Sequence, residues 1–154
     1  MYYRPFLLEL LEKSYQTFDL HLFTSSEKEY ADVIVKQFDP DNKYFKARWY
    51  KKSCHKADNG MYLKDLSQLG LPLDRVVLVD NSTFSFGYQL CNGVPILSYT
   101  GAAADMELMS LFDYLQNLAK QPDVRKFNLE YFKLHLMLEA QDPDGAFDKL
   151  FPNS

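Results

Sequence analysis

Apolar residues along this 154-residue chain follow two spacings that alternate with each other. Spacings of three and four positions predict amphipathic helices, at about Pro5–Tyr15, Ser26–Phe38, Asp105–Lys120 and Leu129–Ala140. Alternating or continuous apolar runs predict strands, at Phe18–Phe23, Tyr44–Tyr50, Arg75–Val79 and Val94–Tyr99. Strands that alternate with helices indicate a doubly wound α/β domain, in which helices flank a mostly parallel sheet.

Three local patterns add detail to this prediction. The continuous apolar run that follows Arg75 is typical of a strand buried on both faces of a parallel sheet. Ser26 followed by Glu29 matches a capping box, in which each side chain satisfies a backbone N–H at the start of a helix. The large apolar residues of that helix are predicted to share its buried face, and they are Tyr30, Val33, Ile34 and Phe38.

Composition and charge exclude some classes of protein. The net charge is −4 at pH 7, which is not the basic balance of a general nucleic-acid-binding protein. No apolar run approaches the roughly 20 residues of a membrane span, and the first residues lack the features of a signal peptide. The two cysteines and three histidines show no zinc-ligand spacing. We predict one domain over residues 1–140 and a polar tail over residues 141–154, with no direct nucleic-acid partner.

Polar side chains at the ends of two predicted strands suit a phosphoryl group. Ligands of doubly wound folds bind at the carboxyl ends of strands, where Thr24 and the pair Asp80-Asn81 lie. Asp80 and Asn81 offer the hard oxygen ligands that Mg²⁺ prefers, and Thr24 stands close to the start of a helix, a favourable place for phosphate. Lys64 would add a positive charge. Taken singly, such residues are more often structural: an Asp after a strand is commonly a turn former or helix cap, and a single Lys commonly lies on a solvated face.

Taken together, several motifs resemble the small phosphatases of the RNA polymerase II C-terminal domain (CTD), and most closely the CTD small-phosphatase-like 2 subgroup. The resemblance covers about residues 4–135. It rests on Arg4-Pro5-Phe6, Leu22-Phe23-Thr24-Ser25, Tyr30-Ala31-Asp32, Tyr62-Leu63-Lys64-Asp65-Leu66-Ser67, Val79-Asp80-Asn81-Ser82, Tyr88–Ile96 and Asp123-Val124-Arg125.

The resemblance implies a haloacid-dehalogenase-like fold and a role for each matching residue. Thr24 would hold a phosphoryl oxygen, and Lys64 would neutralise the phosphate and an aspartyl-phosphate intermediate. Asn81 would be a Mg²⁺ ligand, with Asp80 as a ligand or as a partner of one. Arg4 would be structural. No cofactor other than Mg²⁺ is implied.

One motif of the family is missing from these 154 residues. Family members carry Asp-x-Asp-x-Thr upstream of the Arg-Pro, on the central first strand of the sheet, and its aspartates are the nucleophile and the general acid. Only Met1-Tyr2-Tyr3 precede Arg4 here. We therefore expect a sheet without that strand, weak Mg²⁺ binding and no activity of the chain alone. A truncated domain and a true pseudophosphatase both remain open.

Two functions follow from this resemblance. The first is an incomplete domain of a Mg²⁺-dependent phosphoserine or phosphothreonine protein phosphatase, which acts on a phosphoprotein in the nucleus or cytoplasm. The alternative is an inactive, phosphatase-like protein-binding module, as in the mitochondrial inner-membrane translocase, which would place the chain in mitochondria. An upstream Asp-x-Asp-x-Thr strand would favour the first function, and an upstream transmembrane segment would favour the second.

Overall fold

A computed structural model of the chain describes residues 3–134. The α-helices of this range are α1 (Leu7–Tyr15), α2 (Lys28–Phe38), α3 (Glu107–Ala119) and α4 (Val124–Phe132). Its strands are β1 (Leu20–Phe23), β2 (Phe45–Trp49), β3 (His55–Lys56), β4 (Tyr62–Leu63), β5 (Leu78–Asp80) and β6 (Gly93–Pro95). Short 3₁₀ turns connect several of them. Within residues 3–134, none of the helices combines the length and the apolar character needed to cross a bilayer.

The chain divides into two compact units. Among the described residues, the first contains residues 3–54 together with Ser98–Tyr114, and the second contains His55–Leu97 together with residues 115–134. Thr24 therefore belongs to the first unit, whereas Lys64, Asp80 and Asn81 belong to the second.

The first unit is built around a β–α–β element. Strands β1 and β2 are parallel, with Phe23 opposite Trp49, and α2 forms the crossover that parallel neighbours require. The backbone N–H of Thr24 donates to the carbonyl of Trp49 at 2.9 Å, which extends the ladder by one residue beyond β1. Parallel pairing aligns the carboxyl ends of both strands, so Thr24 lies at the edge of this ladder where ligands of such folds bind.

Helix α2 differs from its prediction in two ways. It begins at Lys28, with Glu27 as the N-cap residue and no side-chain cap, so the predicted capping box of Ser26 is wrong. Tyr30 and Val33 are each 62% exposed. The buried side of α2 is set instead by small or compact side chains, Ala31 and Val35, because a small residue lets a helix approach its neighbours closely.

The second unit contains two further ladders. Strands β3 and β4 form an antiparallel hairpin, and β5 pairs in parallel with β6, with Asp80 opposite Pro95. The predicted strand Arg75–Val79 is shorter than expected. Arg75 ends a 3₁₀ turn, and β5 starts at Leu78, which is buried while its strand neighbours are half-buried.

Each unit has its own buried apolar residues. In the first these include Leu11, Val35, Leu108, Leu111 and Phe112, and in the second Leu63, Phe86, Val94, Leu118 and Val124. Helix α3 buries Leu108, Leu111 and Leu118. Met106 belongs to the predicted helix Asp105–Lys120, but it precedes α3 and is 54% exposed.

The α/β class with parallel strands is confirmed. Among residues 3–134 the strands form three separate two-stranded sheets. Helix α4 starts at Val124, earlier than predicted, because Asp123 caps it by accepting from the N–H of Arg125. The remainder of the predicted helix beyond Leu134, and the predicted tail at 141–154, lie outside the described residues.

Candidate functional site

A buried ion pair joins two of the predicted site residues. Lys64 follows β4, Asp80 is the last residue of β5, and the Lys64 Nζ donates to the Asp80 Oδ2 at 2.5 Å. Their side chains are only 10% and 9% exposed. Charges with so little access to water interact strongly, and removing one partner of such a pair typically costs about 3–5 kcal/mol because the other is left uncompensated.

Backbone hydrogen bonds fix both members of this pair. The second carboxylate oxygen of Asp80, Oδ1, accepts from the N–H of Ser82 at 2.9 Å, and the carbonyl of Asp80 accepts from the N–H of Ile96 at 3.1 Å. The N–H of Lys64 donates to the carbonyl of Ser85 at 3.1 Å. The Lys64 ammonium and the Asp80 carboxylate are therefore held by the ends of β4 and β5 and by the turn that follows β5.

The side-chain amide of Gln89 stabilises the turn that follows Lys64 through two hydrogen bonds. Its amide nitrogen donates to the Asp65 carboxylate at 2.7 Å, and its amide oxygen accepts from the N–H of Leu66 at 2.9 Å. Burial alone would raise the pKa of Asp65, but the hydrogen bonds from Gln89 and Ser67 outweigh it and hold the pKa below its usual value. Asp65 thus stays ionised and caps the 3₁₀ turn that follows it. This cap holds the backbone next to Lys64 in place.

These supporting residues are the part of the site that sequence reasoning missed. Asp80 followed two residues later by Ser82 is the pattern of a side chain that accepts from the backbone two positions on, and that signal was available. The role of Gln89 had no such signal, because its partner Asp65 is distant in the chain.

Asp80 and Asn81 offer hard oxygens, which fit Mg²⁺ in kind but form an incomplete set. Asn81 is exposed, whereas both carboxylate oxygens of Asp80 already accept hydrogen bonds. Across residues 3–134 no group of three or more His, Cys, Asp or Glu side chains could hold a metal ion. Magnesium normally binds one or two carboxylates, several waters and the phosphates of a substrate.

Thr24 lies in a hydrogen-bonded turn of the first unit. Its hydroxyl oxygen accepts from the N–H of Ser26 at 3.0 Å, and its carbonyl accepts from the thiol of Cys54 at 3.6 Å. Its hydroxyl hydrogen remains available to donate, since the bond to Ser26 uses only a lone pair. The structure therefore places Thr24 after a parallel strand, as predicted, and gives it a fixed orientation.

Arg4 has the structural role expected of it. Its guanidinium forms a two-pronged ion pair with Asp105, at 2.9 and 3.0 Å, and lies over the ring of Tyr99 at 5.7 Å. Asp105 also accepts from the N–H of Glu107 at the start of α3. The hydrogen bonds from Arg4 hold the pKa of Asp105 below its usual value, so the pair ties the segment before α1 to the start of α3.

Solved structures share the fold of this chain. The chain is similar to Fcp1, an essential RNA polymerase II CTD phosphatase, with a TM-score of 0.55 at 18% identity over 93% of this chain and 49% of that one. At this identity the likeness shows the fold alone.

The family follows from the sequence comparison. The model of the NLI interacting factor-like phosphatases matches residues 1–125, and this chain belongs to that family. It is 43% identical over 135 residues to CTD small phosphatase-like protein 2 of Dictyostelium discoideum, covering 88% of this chain and 24% of the relative. It is 37% identical over 121 residues to the human CTD small phosphatase-like protein, covering 79% of this chain and 43% of the relative. The resemblance seen in the sequence motifs is confirmed, and the chain spans less than half the length of either relative.

Proposed function

We propose that this chain is the larger part of a Mg²⁺-dependent phosphoserine or phosphothreonine protein phosphatase domain, and that by itself it does not hydrolyse phosphate esters. The observation that supports the phosphatase assignment most directly is the buried pair of Lys64 and Asp80 at the end of β5. A domain that serves only as a scaffold has no need for this pair, since well-packed apolar residues of similar volume are often as stabilising.

In the proposed reaction, Lys64 binds the phosphoryl group, a role that the family resemblance gives to Thr24 as well. Lys64 neutralises the negative charge that develops during transfer, and a low-dielectric site makes that stabilisation large. A bound Mg²⁺, held by Asp80 and Asn81, would supply electrostatic stabilisation of the phosphoryl oxygens.

Asp80 has a second task in this proposal. When no phosphate is bound, its carboxylate balances the charge of Lys64 and fixes the position of the ammonium. Entry of a phosphate gives Lys64 a new anionic partner, and the Asp80 carboxylate then becomes available to the cation that accompanies the phosphate. The ion pair therefore keeps the Lys64 and Asp80 side chains in position before a phosphate binds.

The inactivity of the chain alone follows from its residues. Covalent phosphoryl transfer needs a carboxylate nucleophile and a general acid, and the 154 residues contain no Asp-x-Asp-x-Thr. We expect no phosphate release from a phosphoserine peptide or an aryl phosphate at millimolar Mg²⁺. The control is Asp80→Ala, because turnover that disappears in this variant would mean that another carboxylate of the chain is the nucleophile.

A completed chain separates the phosphatase from the protein-binding alternative. An upstream segment that carries an apolar strand and Asp-x-Asp-x-Thr should confer Mg²⁺-dependent turnover, and Lys64→Ala in that background should lower kcat by about 100-fold or more, the typical effect of removing one charge-stabilising donor. A folded, completed chain without turnover would favour the binding module.

Weak binding of Mg²⁺ is a further consequence of the proposal. Asp80 and Asn81 provide two protein oxygens, and without a substrate phosphate that is too few to displace the waters of the ion. Calorimetric titration of the 154-residue chain with MgCl₂ should give no saturation below the millimolar range. An affinity in the low micromolar range, lost in Asp80→Ala, would contradict this expectation.

A further inference from the structure

The β3–β4 hairpin has two faces with different chemistry. His55 lies opposite Leu63, and Lys56 lies opposite Tyr62. Leu63 is fully buried and packs with Ala57 in an apolar cluster, so Leu63 belongs to the core, whereas His55 opposite it is exposed. Because side chains alternate between the faces of a strand, Lys56 and Tyr62 share the other face.

Lys56 carries a charge that no carboxylate neutralises. It is exposed, its Nζ lies 6.0 Å from the centre of the Tyr62 ring, and no carboxylate of residues 3–134 forms an ion pair with it. The ring attracts the ammonium without cancelling its charge. Other exposed lysines of the described range, such as Lys52, also lack an ion pair, and Lys56 differs from them by its position beside Tyr62 on the hairpin.

Lys56 is connected to the candidate phosphoryl-binding residue Lys64 through Tyr62, its partner across the hairpin. Lys64 is two positions after Tyr62, and residues two apart in an extended chain project to the same side at a spacing of about 6.5 Å. The spacing of alternate residues in an extended peptide is the same. A peptide whose phosphoryl group reaches Lys64 can therefore place the side chain two residues away near Tyr62 and Lys56.

We propose that Lys56 and Tyr62 form a specificity subsite for an acidic group two residues from the phosphorylated residue of the substrate. This inference rests on the proposed function, since it takes Lys64 as the phosphoryl-binding residue. The shared chemistry is a negative charge on an extended peptide, supplied by Asp or Glu or by a second phosphoserine. The subsite would select acidic or multiply phosphorylated segments against basic ones.

The test is fluorescence anisotropy of labelled phosphoserine peptides with the 154-residue chain at low ionic strength. The peptides differ only at the two positions that lie two residues before and after the phosphoserine, which carry Glu, phosphoserine, Ala or Lys. An exposed ion pair contributes up to about 1 kcal/mol, so we expect the Glu peptide to bind about two- to fivefold more tightly than the Ala peptide. The Lys peptide should bind more weakly than both. Added salt should reduce the differences in affinity between the peptides.

Charge reversal assigns the preference to the hairpin. In Lys56→Glu the order of the Glu and Lys peptides should invert, while the Ala peptide keeps its affinity within about twofold. The matched control is Lys52→Glu, which makes the same change of charge at another exposed lysine without an ion pair in the described range. It should leave the order unchanged, and circular dichroism checks that both variants are folded.

The outcomes separate this inference from the function on which it rests. Binding that is lost in Lys64→Ala but is indifferent to Lys56→Glu would overturn the subsite and leave the proposed function standing. An equal effect of Lys52→Glu would also overturn it, because the preference would then reflect overall charge. If no phosphopeptide binds, or if Lys64→Ala binds as the parent chain does, the proposed function fails and the subsite fails with it.

Discussion

Asp32 on α2 is a carboxylate that three different side chains hydrogen-bond. It accepts from the Lys28 ammonium at 2.5 Å, from the Tyr50 hydroxyl at 2.6 Å and from the Arg48 guanidinium at 2.9 Å. The hydrogen bond from Lys28 is the largest cause, followed by that from Tyr50, and together they lower the pKa of Asp32 from 3.8 to about 2. Asp32 thereby connects α2 to β2 through Arg48, and to Tyr50, which directly follows β2.

The depressed pKa of Asp32 makes a prediction about acid stability. A carboxylate whose pKa is lower in the folded state stabilises the fold above its unfolded pKa of 3.8, and that contribution is lost as the pH falls towards about 2. In urea unfolding, Asp32→Asn should be less stable than the parent chain at pH 7 and at pH 5. The difference should shrink between pH 4 and pH 2, and a difference that is constant over this range would contradict the assignment.

Gly93 is fixed by contact rather than by backbone conformation. A Cβ at this position would lie 2.3 Å from the Cγ of Phe86, and the Phe86 side chain is only 1% exposed and cannot move into solvent. The first residue of β6 must therefore be glycine for the aromatic ring to pack against the strand.

Gly93→Ala should consequently destabilise the chain by about 1–3 kcal/mol, the usual cost of overpacking a core. The measurement is urea denaturation, and the control is the double variant Gly93→Ala, Phe86→Leu. Since the smaller side chain gives space to the new methyl group, the two changes should be less than additive. Additive losses would show that the clash with Phe86 is not the cause.

Helix α4 is attached to the rest of the second unit by a buried amide. The Asn128 side chain, 1% exposed, donates to the carbonyls of Cys91 and Gly93 at 2.9 and 2.6 Å. Asn92 does the same for the carbonyls of Leu73 and Val76 at 2.6 and 2.8 Å. These amides satisfy carbonyls of the 3₁₀ turns and chain segments at or next to β5 and β6.

Removal of this attachment should be costly. Asn128→Ala leaves two buried carbonyls without their donor, at about 1–3 kcal/mol, and it should lower the urea midpoint accordingly. Asn117→Ala on the exposed side of α3 is the matched control and should change stability by less than about 0.5 kcal/mol. Equal effects of the two variants would indicate that the buried amide contributes nothing specific.

At the scale of the whole molecule, the parallel ladders are unusually narrow. Within the described range β1 pairs only with β2, and β5 pairs only with β6, so each of these strands has an edge without a strand partner. Backbone groups along such an edge are a template for association with another strand.

The narrow ladders predict how the isolated chain behaves. It should be oligomeric or poorly soluble in light scattering, and it should melt with low cooperativity. An added upstream apolar strand with Asp-x-Asp-x-Thr should raise its melting temperature, and the same strand with both aspartates changed to Asn should keep that gain without conferring activity. A monomeric chain that melts sharply and gains nothing from the strand would support a self-sufficient binding domain.

The order of the elements and the placing of the site residues along them were determined by local sequence patterns. The order of helices and strands follows from the spacing of apolar residues, and the turn residues and motifs place Thr24, Lys64, Asp80 and Asn81 at the ends of strands. Such features depend on neighbours within a few positions, which is why the pattern alone predicts them and why the family resemblance could be stated from short motifs.

Only the tertiary structure decided which distant groups meet. The pairing of Lys64 with Asp80, the brace from Gln89 and the amide of Asn128 join residues that are far apart in the chain, so no local spacing encodes them. The buried side of α2 was mispredicted for the same reason. The amphipathic pattern weighted the large side chains of Tyr30 and Val33, whereas the packing of the unit selected Ala31 and Val35, because close contact between elements depends on the shape of the neighbours as well as on hydrophobicity.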